Sequence, residues 1–177
     1  MDGLNHLPKV FAREEFKYKT MAIPRSHKPQ KPKDEFSEKS LDIRRVTRVV
    51  KGGKRFRFRA TVVIGNRRGK VGIGIGKGVD VAKAVDKAKL HARKNVIIFQ
   101  IKEGTIAHDV EGKFSSARVF IKPASKGHGL VAGGAVRAVL SLAGVNDASA
   151  KIISRTTNRL TNALATLEAL KKLKARV

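Results

Sequence analysis

Residues 43–94 read IRRVTRVVKGGKRFRFRATVVIGNRRGKVGIGIGKGVDVAKAVDKAKLHARK, and the pattern of this stretch decides the fold. Two runs of strand-forming residues flank the tetrapeptide Lys51-Gly52-Gly53-Lys54, where glycine can take the positive φ of a tight turn. The stretch therefore predicts a β-hairpin. One face of the second strand carries Arg55, Arg57, Arg59 and Thr61. The other face, which we expect to be buried, carries Phe56, Phe58, Ala60 and Val62.

A second turn at 65–69 leads into KVGIGIGKG at 70–78, whose alternate glycines share one strand face. Glycine weakens a strand, so three glycines on one face indicate that a backbone, a helix or RNA packs very closely there. From Val79 the apolar period becomes helical, along Val81, Ala84, Val85, Ala88 and Ala92. The predicted unit is β-β-β-α, the arrangement that double-stranded RNA-binding domains use, here without their front helix.

The second half also predicts helices and strands. Strands are expected over 95–102, 117–122 and 150–154, with turns at Gly104 and Gly112. A glycine-rich loop, PASKGHGLVAGG at 123–134, precedes a helix that ends at Gly144. A last helix, capped by Thr156 or Thr157, has an apolar stripe at Leu160, Ala163, Leu164, Leu167 and Leu170.

The charge of the chain points to a polyanionic partner. Its 177 residues include 39 Lys and Arg against 14 Asp and Glu, a net charge of +25, and residues 41–99 hold 17 of the basic side chains but 3 of the acidic ones. Nucleic acid is the commonest partner that relieves such self-repulsion. Residues 1–40 contain four of the five prolines and predict an extension that is disordered alone. That extension is either a solvated tail or a segment that threads along RNA.

Composition and motifs also exclude several classes of protein. Without cysteine there is no disulfide framework and no thiolate site, and no apolar run is long enough for a bilayer, so we expect a cytosolic protein with no membrane contact. The run at 72–78 fails the phosphate-loop pattern, because Val71 and Gly78 stand where glycine and Ser/Thr are needed. The dinucleotide-binding fingerprint fails as well. His108, Asp109 and Glu111 are close in sequence, but a loop between two strands explains them more simply than catalysis.

We therefore expect no enzyme, no cofactor and no metal site. The glycine-rich loop at 123–134 leaves two interpretations open. It either holds an anion on the N-terminus of the following helix or serves as a packing or partner-docking loop.

Two long blocks of this sequence resemble the S-five family of small-subunit ribosomal proteins, of the bacterial type. One block runs from Arg48 to Ala88, and the other, PASKGHGLVAGGAVRAVLSLAGV, runs from Pro123 to Val145. The resemblance covers roughly residues 41–172. It departs at Arg159, where the family commonly has Pro, and at Thr161, where Asn is common. These departures put the start of the last helix in question.

The resemblance implies an α+β protein of two small domains after the extension at 1–40. Residues 41–94 would form the double-stranded-RNA-binding-like β-β-β-α domain, and residues 95–177 a β-α-β domain with a left-handed crossover, an exception to the usual handedness. It also implies a structural constituent of the small ribosomal subunit, cytoplasmic or in an organelle, bound to rRNA. Its neighbours would be proteins of the S-four and S-eight families, near the decoding region and the side where mRNA enters. Members of the family are linked to translational accuracy.

The charge pattern and the resemblance together select candidate residues. The expected rRNA contacts are Lys51, Gly52, Gly53, Lys54, Arg55, Arg57, Arg59, Arg67, Arg68, Lys70, Lys77, Lys83 and Lys87. By position in the family, the contact with the S-four neighbour falls on Lys126, Gly127, His128, Gly129 and Arg137. The turn at 51–54 resembles the family loop that reaches toward the spectinomycin site. There the fourth residue is commonly Arg, so Lys54 keeps the charge but lacks the planar fork for bidentate phosphate contact.

Two other functions are compatible with so basic a protein. One is a subunit of an RNA-processing enzyme, since ribonuclease P proteins share the left-handed crossover, although the GIGIGKG block followed by a helix argues against it. The other is a general architectural nucleic-acid binder, which would bind duplex DNA and structured rRNA with similar affinity at the same salt concentration.

Overall fold

The computed structural model describes residues 35–173, so most of the predicted extension at 1–40 lies outside the described residues. The first sheet and its helix are formed by β1 (Ser37–Val50), β2 (Gly53–Gly65), β3 (Lys70–Gly78), α1 (Val81–Lys94) and β4 (Val96–Ile98). The second sheet and its helices are formed by β5 (Val110–Phe114), β6 (Ala117–Pro123), β7 (Leu130–Val131), α2 (Gly134–Ala143), β8 (Ala148–Ile152) and α3 (Arg159–Lys171). The predicted α+β class is confirmed.

The first sheet is antiparallel, in the order β1-β2-β3-β4. The predicted hairpin is present, with Val50 paired to Gly53 across a two-residue turn. β1 begins at Ser37, earlier than the pattern near Ile43 suggests. The strand predicted over 95–102 as part of the second half is corrected to three residues of this first sheet, where Val96 pairs with Gly72.

The glycine face of β3 receives α1. A Cβ built on Gly74 would lie 2.1 Å from the carbonyl oxygen of Ala88, and one on Gly76 would lie 2.3 Å from that of Ala84. The helix presents small side chains to the sheet, since Ala84, Ala88 and Ala92 are fully buried. A helix, rather than RNA, is therefore what the close-packing face accommodates.

The second sheet has the order β5-β6-β8-β7. β7 and β8 are parallel and α2 connects them, which gives the predicted β-α-β unit; its left-handed sense stays a prediction from the resemblance. The predicted turn at Gly112 is wrong, because Gly112 lies within β5. A Cβ there would lie 2.2 Å from the carbonyl oxygen of Ala165, so this glycine admits α3 against the sheet.

The two sheets share one larger core. Val63, Val71 and Ile73 project from the first sheet into the cluster built by the second sheet, α2 and α3, whereas Val62 packs on the α1 side. The β2–β3 loop also docks on the end of α2. Its backbone N–H groups of Arg67 and Gly69 donate to the carbonyls of Leu142 and Ala143, both at 2.9 Å.

Both predicted helices of the second half are present. α2 ends at Gly144, as predicted, with a left-handed φ of 99°. The cap of α3 is corrected to Asn158, whose side chain accepts a hydrogen bond from the N–H of Leu160 at 3.1 Å. Arg159 starts the helix, and its Nη1 donates to the carbonyl of Leu41 at 2.9 Å. Leu41 lies at a β-bulge of β1, so this bond ties the last helix to the first strand.

Candidate nucleic-acid interface

Strand register brings the arginines of the hairpin together on the sheet face opposite α1. Arg44 pairs with Arg59, which pairs in turn with Lys77, and Arg48 pairs with Arg55. Directly paired residues point to the same face. We call this surface the arginine face, and its members are Arg44, Arg48, Arg55, Arg57, Arg59 and Lys77. Arg55, Arg57 and Arg59 share a face as predicted, while Arg44 and Arg48 are additions that sequence reasoning missed.

The arginine face begins where the shared core ends. Further along the same face of β2, Thr61 and Val63 are buried, because the second half of the chain covers that end of the sheet. In the other direction, from Arg59 toward the tip of the hairpin, the second half of the chain no longer covers the sheet, and Arg57 and Arg55 are exposed. On this face of β2, the half near Val63 is therefore uncharged and buried, and the half near Arg55 is charged and exposed to solvent.

Like charges dominate the arginine face. In the described part of the chain, its one carboxylate is Asp42, whose Oδ2 lies 2.5 Å from Nε of Arg44. Like charges directly opposite each other destabilise a sheet by a few tenths of a kcal/mol or more per pair. A shallow concavity of about 440 Å³ runs over this surface, with Val46 and Val50 beside Arg48, Arg55 and Lys77. The surface is therefore suited to a polyanion.

The prediction that Phe56 is buried is wrong. Its side chain is 47% exposed, and the guanidinium of Arg45 lies 3.6 Å from the centroid of its ring. Phe56 is exposed because the helix α1 is shorter than the strand β2 that it covers. β2 has 13 residues and is about 40 Å long at ~3.3 Å per residue, whereas the 14 residues of α1 span about 21 Å. The helix covers Ala60, Val62 and Ile64 and leaves the end of the hairpin bare.

The turn at the tip of the hairpin has the geometry that its glycines predict. Gly52 has φ of +86° and Gly53 of +155°, both rarely adopted by other residues. Lys51 and Lys54 flank them and are exposed. A Cβ on Gly52 or on Gly53 would meet nothing within 4 Å, so there is open space beside both glycines of the turn.

The remaining predicted rRNA-contact residues form two other groups. Arg67, Arg68 and Lys70 lie at the opposite end of β2, about 40 Å of strand away from the tip. Their loop is rigid, since Oδ1 of Asn66 accepts from the N–H groups of Arg68 and Lys70 at 2.8 and 3.1 Å. Lys83 and Lys87 are exposed on α1, on the other side of the sheet from the arginine face. The predicted set is thus spread over three surfaces.

A neighbouring lysine of α1 has a structural partner instead. Nζ of Lys89 lies 2.7 Å from the Glu38 carboxylate, which joins α1 to β1. That hydrogen bond raises the pKa of Lys89, and Asp86 at 3.7 Å adds to the effect. Lys89 therefore contributes to the fold of the domain.

The predicted protein-contact loop is held from beneath by a carboxylate. Oδ1 of Asp147 accepts from the backbone N–H of Gly127 at 3.1 Å and of Gly129 at 2.8 Å. Both glycines have positive φ, 89° and 78°, which turns their N–H groups inward. Asp147 is 9% exposed and its carbonyl accepts from Oγ1 of Thr105 at 2.6 Å. A carboxylate of the chain itself therefore holds the glycine turn of this loop, and sequence reasoning missed Asp147; the predicted alternative of an anion at the N-terminus of α2 stays a prediction.

The outer side of the loop is free for a partner. Lys126, Gly127 and His128 are exposed, and Arg137 is exposed on the first turns of α2. No group of three or more His, Asp or Glu side chains placed to hold a metal ion occurs within residues 35–173. None of the helices in that range is long and apolar enough to cross a membrane.

Comparison with known proteins gives the family. The model of the ribosomal protein S5 N-terminal domain matches residues 36–100, and that of the S5 C-terminal domain matches residues 112–176. The small ribosomal subunit protein uS5 of Thermotoga neapolitana is 47% identical over 140 residues, 79% of this chain and 78% of the relative. The protein of the same name from Campylobacter jejuni is 48% identical over 143 residues, 80% of this chain and 96% of the relative. The two family models follow each other in chain order along the fold described above, and the chain therefore belongs to the ribosomal protein S5 family.

Proposed function

We propose that this chain is a structural, non-enzymatic component of the small ribosomal subunit that binds rRNA mainly through the arginine face and the Lys51–Lys54 turn. The observation that carries the proposal is the arginine face itself. Five arginines and one lysine lie side by side with a single carboxylate among the described residues of that face. Phosphates of a folded RNA would neutralise them, and releasing the bound counterions would drive the association.

Recognition at this surface depends on backbone and shape. Arginines on a sheet face reach phosphate oxygens, which position a protein without reading bases, and A-form helices hide their base edges in a deep groove. Phe56 lies on the opposite face of the hairpin, where its ring packs against the guanidinium of Arg45, so it takes no part in this surface. We therefore expect selectivity for folded rRNA structure, with little dependence on base sequence.

The loop from Lys126 to Gly129 and Arg137 are proposed to contact a neighbouring ribosomal protein of the S-four family, and a protein of the S-eight family is proposed to lie nearby. Asp147 supports this, since it fixes the loop backbone before any partner binds. A rigid contact at this place is how the protein would support translational accuracy near the decoding region and the side where mRNA enters. The cytoplasmic ribosome is the proposed location.

Sucrose-gradient fractionation of cells that express the tagged chain tests the proposal. We expect the chain to co-migrate with small subunits and to stay with them in high salt. Co-purification with a single processing RNA would instead identify a subunit of an RNA-processing enzyme. Equal affinity of the pure chain for duplex DNA and structured rRNA at one salt concentration would identify a general nucleic-acid binder.

A further inference from the structure

The second sheet carries helices on one face alone within the described residues. Val110, Ala117, Val119 and Ile121 face α2 and α3 and are buried. The alternate residues point the other way and are exposed, apart from the half-buried Phe120. This outer face consists of Glu111, Lys113, Arg118, Phe120, Lys122, Val131, Ser149 and Lys151.

The register concentrates positive charge on this outer face. Lys113 pairs directly with Arg118, Lys122 follows two positions further along β6, and Lys151 pairs with Phe120 from the neighbouring strand. We call these four cations the lysine face. Glu111 is the one carboxylate among the described residues of the outer face, so the net charge of that face is +3. None of the four cations has an ion pair with another described residue.

An unneutralised pair such as Lys113 and Arg118 lowers the stability of the sheet. Like charges directly opposite each other on a sheet repel, and water screens them only in part. Glu111 is the one carboxylate among the described residues of this face, and a single negative charge cannot neutralise four cations. Within residues 35–173 the remaining charge of this face has no counterpart, which makes the face suited to an anionic partner.

We propose that the lysine face is a second RNA-contact surface, distinct from the arginine face, that holds phosphates of folded rRNA. The proposal rests on the proposed function in that the ligand is rRNA. Composition favours RNA over a protein partner, because three of the four cations are lysines, which the cores of protein interfaces avoid and phosphate-binding surfaces use. Phe120 lies directly opposite Lys151 on this face, so an apolar ring stands next to the aliphatic stem of the lysine.

The dimensions of the face limit how much RNA it can contact. Four strands spaced about 4.8 Å apart are ~14 Å wide, and five residues are ~13 Å long. An area of this size accommodates two or three phosphates of one RNA strand. The lysine face would therefore add a few ionic contacts to those of the arginine face, with no base readout.

The test is the salt dependence of binding between the full chain and small-subunit rRNA transcribed in vitro. The variant K113Q/K122Q/K151Q removes three charges from the lysine face. The matched control K39Q/K94Q/K102Q removes three exposed lysines from other surfaces. Unchanged far-UV circular dichroism and a cooperative thermal transition establish that both variants fold. If the triple variant does not fold, the single variant K122Q takes its place.

We expect the slope of log affinity against log salt to fall by about 2 to 3 in the triple variant, or about 0.7–0.9 in the single variant, and to stay unchanged in the control. Equal slopes for wild type and triple variant would overturn the proposal. Normal rRNA binding with poor incorporation into subunits would overturn it in favour of a protein partner. The variant R55A/R57A/R59A, measured in parallel, tests the arginine face, so failure at either face is distinguishable from failure at the other.

Discussion

Replacing Gly74 by Ala tests whether the glycine face of β3 serves packing. The Cβ of alanine would lie 2.1 Å from the carbonyl oxygen of Ala88 and 2.3 Å from the backbone nitrogen of Ala92. Both are backbone atoms of α1, so no flexible side chain can move aside. An ordinary contact needs about 3.4 Å, so the helix would have to retreat from the sheet by about 1.3 Å.

That retreat would open the smaller core. Ala84, Ala88 and Ala92 contact the sheet only because it carries glycine opposite them, and a displaced helix loses its contacts with Ala60 and Val62 as well. Overpacking a well-filled core costs about 1–3 kcal/mol. Because the clash is with backbone atoms, we expect the free energy of unfolding to fall by about 3 kcal/mol, the upper end of this range. For a chain of this size, that corresponds to a fall in Tm of about 6–12 °C.

Urea unfolding at fixed ionic strength measures this loss. The matched control is Gly134→Ala, since Gly134 opens α2 and a Cβ there meets nothing within 4 Å. Alanine favours helix over glycine by up to about 1 kcal/mol, so the control should be neutral or more stable. A loss below about 1 kcal/mol for Gly74→Ala would refute the account of the glycine face as a seat for α1.

Three further predictions concern single contacts. Replacing Asp147 by Ala should speed amide hydrogen exchange of Gly127 and Gly129 about tenfold or more, while Asp147→Asn, which keeps an acceptor, should have a smaller effect; unchanged rates in the Ala variant would contradict the support of the loop. Gly52→Asp should weaken rRNA binding more than Gly52→Asn, because Asn tolerates the positive φ and adds no negative charge; equal affinities of the two variants would count against phosphate at the turn. Replacing Lys89 by Gln should lower the free energy of unfolding by about 0.5 kcal/mol at neutral pH. Because the folded-state pKa of Lys89 is raised, this difference should be fully present from neutral pH up to ~10.4 and vanish as the pH rises through the folded pKa. A difference that survives deprotonation of Lys89 would refute the ion pair with Glu38.

Local periodicity was enough to predict the hairpin, the glycine face and the three helices. The turn at Gly52, the alternation of Arg55, Arg57 and Arg59, and the end of α2 at Gly144 depend on neighbours in sequence. Such signals need no knowledge of the rest of the fold. For the same reason the Asn158 cap was missed in favour of a threonine, since several capping residues stand close together before α3.

The errors came from contacts between distant parts of the chain. Gly112 is a turn residue by type, but it lies in a strand because α3 packs against it. Phe56 follows the alternation of a core face, yet the helix is too short to cover it. The strand at 96–98 pairs with β3 although its apolar run could equally begin the second sheet. The pattern of neighbouring residues does not show how long each helix is relative to its sheet, or which strand or helix a segment packs against.

The sequence-based prediction omitted the members of the arginine face that come from β1, because their position depends on how β1 pairs with β2. The alternation of β1 and the two-residue turn contain the signal for Arg44 and Arg48, since pairing outward from Val50 and Gly53 brings both to the face of Arg55 and Arg59. Asp147 gives no such signal, because it follows its loop by 18 residues and reaches it through the fold.

The central claim is that the arginine face binds rRNA, and the salt dependence of binding tests it most directly. The variant R55A/R57A/R59A is compared with wild type and with K39A/K94A/K102A, which removes the same charge elsewhere. Binding to small-subunit rRNA is measured over a range of salt concentrations. We expect weaker binding and a slope of log affinity against log salt smaller by about 2 to 3 for the arginine variant, with little change for the control. An unchanged slope for the arginine variant, or an equal decrease in slope for the arginine variant and the control, would contradict rRNA binding by the arginine face.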